Sequence, residues 1–119
     1  MRTLILSAML IGLAAPALAG TYPVSGRWGA GAAPGKGAVD CSKLRVIAFN
    51  GNQRTDSKSG VPAYRNVSVN ASGANFRVSD EFTTGQISNA HVNYTLRVVD
   101  AGHVEMTQSG ATLKLQRCK

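Results

Sequence analysis

Residues 91–118 read HVNYTLRVVDAGHVEMTQSGATLKLQRC. In the first ten, Val92, Tyr94, Leu96 and Val98 alternate with Asn93, Thr95 and Arg97. Alternation with period two is the mark of a strand buried on one face. Asp100-Ala101-Gly102 carries turn chemistry, and Val104 and Met106 then take the inward phase of a second strand. Ser109-Gly110 is a tight turn, and Leu113 and Leu115 take that phase in a third. Three strands joined by two short turns form an antiparallel meander.

Upstream, the same period continues with weaker contrast. Residues 41–50 are rich in β-formers, with Leu44, Val46, Ile47 and Phe49. Residues 63–70 alternate through Val67 and Val69, and residues 75–80 set Phe76 and Val78 on one face. Residues 85–88 read as a further short strand. Two tracts read as loops: GAGAAPGKG at 29–37, which has no large side chain to bury, and NGNQRTDSKSG at 50–60. No stretch after the first nineteen residues holds a helical stripe for three turns. The predicted class is all-β, a small antiparallel up-and-down barrel of 6–8 strands, with a β-sandwich as the alternative. Both architectures hide sheet edges.

The N-terminus has a different character. Met1-Arg2-Thr3 precedes an apolar run over residues 4–15, followed by Pro16-Ala17-Leu18-Ala19. A positive end, a dozen apolar residues and a small-x-small ending make a secretory signal, too short for a membrane span. Residues 1–19 are therefore expected to be cleaved, leaving 20–119 as one β domain with no transmembrane segment. The Ala-x-Ala ending favours a bacterial source and a periplasmic or secreted location. There the sequons at Asn66, Asn70 and Asn93 would be coincidental. The full chain has 13 Lys/Arg against 6 Asp/Glu, and loss of Arg2 leaves 12 against 6, or +6. A basic excess aids solubility and attracts anionic partners.

Export places the two cysteines, Cys41 and Cys118, in an oxidising compartment, so one disulfide is predicted. Closing so long a loop stabilises by roughly 4 kcal/mol in the chain-entropy model. It would tie the last strand back to an early one.

The first strand of the domain reads Val24-Ser25-Gly26-Arg27-Trp28, and the last strand carries Arg117. A Gly-x-Trp on the first strand with an arginine on the last resembles the calycin superfamily, which includes lipocalins, avidins and small bacterial protease inhibitors. The resemblance implies a structural plug: Trp28 closing one barrel end, Arg117 packed across it. An indole gains from a cation over its face, and Arg117 shares the phase of Leu113 and Leu115.

No catalytic constellation stands out. His91 and His103 fall at opposite ends of one hairpin, so a shared metal site is not expected. Asp80 and Glu81 are neighbours that point to opposite strand faces and read as a solvated strand end. No GxSxG, P-loop, dinucleotide or zinc motif occurs, and no cofactor is expected. Arg45, Arg77 and Arg97 look out of phase with their apolar neighbours and are candidates for an outward band that binds anions. Nucleic acid is disfavoured because no aromatic platform accompanies them.

The sequence thus predicts an exported, non-enzymatic, monomeric binding protein whose partner is a protein or an anionic envelope component. One version is an inhibitor of an extracytoplasmic hydrolase, with the glycine-rich tract entering the cleft. The alternatives are a small-ligand carrier and an envelope protein that binds anionic surfaces.

Overall fold

The computed structural model describes residues 17–18, 21–31 and 37–119. The cleavage site expected after Ala19, most of the expected leader and residues 32–36 of the glycine-rich tract lie outside the described residues. Among the described residues, nine strands form one antiparallel sheet. They are β1 (Ala17–Leu18), β2 (Gly26–Ala30), β3 (Arg45–Asn50), β4 (Gln53–Asp56), β5 (Tyr64–Ser72), β6 (Asn75–Phe82), β7 (Ala90–Asp100), β8 (His103–Gln108) and β9 (Ala111–Arg117). Strands β2 to β9 follow one another around the sheet in chain order, and β9 pairs back onto β2. The result is a closed eight-stranded up-and-down barrel, the first of the two predicted architectures. Closure removes the sheet edges that would otherwise invite pairing with other chains. The ninth strand, β1, lies along the end of β5 that extends past the short β4 (Ala17↔Asn70).

The strand phases read from the sequence point into the barrel. Tyr94 and Leu96 of β7, Val104 and Met106 of β8, and Leu115 of β9 are buried beside Trp28, Ile47, Phe49, Val69 and Val78. Each such aliphatic contributes about 1.5–3 kcal/mol when withdrawn from water. The β8–β9 turn has the two-residue form typical of hairpins, with Ser109 and Gly110 both at positive φ (53° and 82°).

Three elements differ from expectation. Residues 53–56, read as loop, form β4, because its inward positions are the charged Arg54 and Asp56 and no apolar alternation marks it. Residues 85–88 are not a strand, and the chain there turns between β6 and β7. The glycine-rich tract begins later than expected, since Gly29 and Ala30 belong to β2.

The disulfide joins Cys41 to Cys118, with Cα atoms 5.6 Å apart, the usual span of such a bridge. It sits on the outer wall. Trp28 and Ala30 are buried, so Gly29 faces outward between them. A Cβ at Gly29 would lie 2.7 Å from Cys41 Sγ and 2.9 Å from Leu44 Cδ1. The missing side chain lets residues 37–41 lie flat over the barrel. Gln116 holds the Gly37 carbonyl at 2.9 Å, and Val39 pairs with Cys118 in parallel. Gln116, outward on β9, is buried for the same reason. Gly29→Ala is therefore expected to lower stability by about 1–3 kcal/mol through overpacking against a fixed sulfur. Unchanged thermal unfolding of that variant would contradict this packing.

Candidate functional site

One barrel end is plugged. The guanidinium of Arg117 lies 4.5 Å from the centroid of the Trp28 ring, and its Nε donates to the Ala101 carbonyl. The Trp28 indole N–H donates to the Ser25 carbonyl at 3.0 Å, so its polar atom is satisfied in the interior. Tyr22 completes the plug edge-on against Phe49, with centroids 4.9 Å apart.

Above the plug sits a buried polar centre assembled from four neighbouring strands. Arg54 (β4) and Asp80 (β6) are 2% and 0% exposed. Arg54 Nε donates to Asp80 Oδ2 at 2.8 Å, the Tyr94 hydroxyl donates to the same oxygen at 2.7 Å, and Asn66 Nδ2 reaches Oδ1 at 3.3 Å. The guanidinium lies between two rings, 3.8 Å from the Tyr64 centroid and 4.8 Å from that of Tyr94. Buried charge persists only when it is paired and hydrogen-bonded, and both conditions are met. Burial pushes the Tyr94 hydroxyl well above the ordinary tyrosine range; Arg54 opposes that push and Asp80 adds to it. Tyr94 thus stays a proton donor to Asp80. The Tyr22 hydroxyl lies near the same pair and is the one buried side-chain polar atom without a hydrogen bond among the described residues.

Asp80, expected at a solvated strand end, is the most deeply buried carboxylate. Its phase is that of Phe76 and Val78, and the strand does not end there but continues through Phe82. Glu81 faces outward as its neighbour's opposite and pairs with Arg65 and His91.

The other end is an open mouth of about 400 Å³, lined in part by Arg45, Asp56, Tyr64, Phe82, His91 and Gln108, with Arg54 at its floor. Arg45 grips Asp56 through two hydrogen bonds, 3.0 and 2.6 Å long. Burial disfavours the Asp56 carboxylate, but the Arg45 fork and the Lys58 backbone N–H outweigh it and hold the carboxyl below the usual range. A carboxyl whose pKa is depressed by folding stabilises the fold above its unfolded pKa of about 4. That contribution is lost as pH falls through the lower folded value. Unfolding free energy is thus expected to be flat from neutrality to about pH 5 and to drop below about pH 4. Arg45→Gln should shrink the drop, and an unchanged acid limb would exclude Asp56 as its source.

The three candidate anion-binding arginines do not form one band. Arg45 shares the phase of the buried Ile47 and Phe49, so it lines the mouth and is occupied by Asp56. Arg97 faces outward but pairs with Glu105 at 3.1 Å. Arg77 faces outward on β6 and enters no ion pair among the described residues. His91 and His103 lie on separate ends, as read, beside Glu81 and Asp100. No three metal-ligating side chains converge among the described residues. Comparison with protein-family models, with curated proteins and with solved structures finds no match for this chain.

Proposed function

We propose that the protein is an exported, non-enzymatic binding protein whose partner is acidic and docks on the outside of a filled barrel. The leader-like N-terminus and the disulfide, a bond of oxidising compartments, support export. The closed eight-stranded meander and the Arg117–Trp28 stack support the calycin-like reading.

The observation that carries the proposal is the disposition of charge. Each of the six acidic residues has a partner within the chain, although Asp40 and Asp100 stay exposed. Asp56, Asp80, Glu81 and Glu105 pair with Arg45, Arg54, Arg65 and Arg97. Asp100 holds His103, and Asp40 accepts from the Ser42 backbone N–H. The basic excess is left outside, where Arg27, Arg77, Lys43, Lys58 and Lys114 enter no ion pair among the described residues. A carrier of small apolar molecules is disfavoured, because side chains from every barrel strand fill the interior behind the mouth and the mouth itself is lined by the Arg45–Asp56 pair.

The test is co-sedimentation of the oxidised protein with envelope fractions over a salt series. Retention at low salt that fades as ionic strength rises is the expected result. No retention, or retention indifferent to salt, would refute docking by charge. The inhibitor version rests on the glycine-rich tract of the sequence, whose described ends are Gly31, next after β2, and Gly37, whose carbonyl accepts from Gln116. A panel of secreted proteases and lysozymes tests it, and neither inhibition nor complex formation would remove it.

A further inference from the structure

The outer wall of β5 to β8 is a concavity of about 670 Å³ with an unusual lining. Strand register places Asn70, Arg77, Thr95 and Thr107 side by side in one cross-strand row. A second row sets Ser79 beside Asn93. The apolar phase of these strands points into the barrel, so the wall presents hydroxyls and amides. It contains no carboxylate. One charge stands in it, the guanidinium of Arg77. Its neighbour two residues along the adjacent strand, Arg97, is neutralised by Glu105 in the next row.

We propose that this wall binds an acidic carbohydrate, with Arg77 taking a carboxylate of the sugar and the Asn, Ser and Thr side chains taking its hydroxyls. The proposal rests on the reading of a binding protein for acidic partners and names the site and the ligand class. Three inter-strand spacings make the row about 14 Å long, room for a short oligosaccharide. The guanidinium fork matches a carboxylate through two parallel hydrogen bonds. Hydroxyl and amide groups both donate and accept, as a polyol requires. A nucleic acid or polyphosphate would call for several cations, and a lipid surface for a basic cluster with apolar anchors. A single cation in a hydroxylated wall fits a ligand with one acidic group among many hydroxyls.

The experiment is affinity gel electrophoresis of the oxidised protein through polygalacturonate, with fully methyl-esterified pectin as the uncharged control. Retardation is expected in the first gel alone. Arg77→Gln should weaken it by about tenfold, the scale of one charge-assisted contact, and Thr95→Val should weaken it further in combination. Arg65→Gln removes the same charge from an exposed position on β5 outside the wall, where it is paired with Glu81, and should leave binding intact. Equal loss in both arginine variants, or retardation by polyphosphate as strong as by polygalacturonate, would overturn the proposal. Envelope retention without retardation would overturn this site while leaving the wider reading standing. Loss of both would end the two together. Thermal unfolding of each variant separates lost binding from lost fold.

Discussion

Asp80→Asn is expected to cost roughly 3–5 kcal/mol of folding free energy, the scale on which breaking a buried ion pair leaves the other charge uncompensated. Arg54 would remain 2% exposed between Tyr64 and Tyr94, with no carboxylate to receive its Nε–H. The Tyr94 hydroxyl and Asn66 amide would lose a charged acceptor at the same time. Domains of this size are stable by only about 5–15 kcal/mol, so the variant should show a large drop in urea midpoint or fail to fold. The paired replacement Arg54→Leu with Asp80→Leu keeps the result interpretable in either case. It removes both charges, so it should recover much of the loss, because desolvation of the pair offsets most of its attraction. A single variant within 1 kcal/mol of the parent, or a double variant worse than the single, would contradict the buried centre.

Removing the disulfide is the second large effect. Cys41 and Cys118 are separated by 77 positions. Opening a loop of that length should lower stability by roughly 4 kcal/mol. The native state adds a local consequence: residues 37–41 are held over Gly29 and Gln116 by the bridge and by the Val39–Cys118 pairing. Cys41→Ser with Cys118→Ser should therefore lower the urea midpoint and increase amide exchange first at Val39 and Lys119, whose N–H groups bond across that seam. A midpoint unchanged between oxidised and reduced protein would show that the barrel does not depend on the staple.

How much of this could be read in advance depended on what each strand buries. The strands β7, β8 and β9 alternate apolar and polar residues, and their boundaries, phase and turns were legible within two residues. The strand β4 was not, since a tract reading Gln-Arg-Thr-Asp gives no apolar signal when the buried residues are Arg54 and Asp56. The polar centre was hidden for a related reason. Its pairing residues are 26 and 14 positions apart, and only barrel closure brings them together. Shared phase was the one available clue: Arg54 with Asp56, and Asp80 with Phe76 and Val78. The Trp28–Arg117 plug was implied by the calycin resemblance, and the apolar phase of Arg117, where a charge needs a receiver, agrees with it. Arg45 looks outward when set against Val46 but shares the phase of Ile47 and Phe49, which carry the core, and so lines the mouth.

The proposed external docking rests on a barrel that is closed, and closure requires that the last strand meet the first. A nuclear Overhauser spectrum of the oxidised protein tests this directly. Cross-strand contacts of Trp28 with Arg117 and of Ala30 with Leu115 are predicted alongside those joining Val69 to Val78. Contacts between β5 and β6 without any between β2 and β9 would mean an open sheet or a sandwich, and would contradict the account.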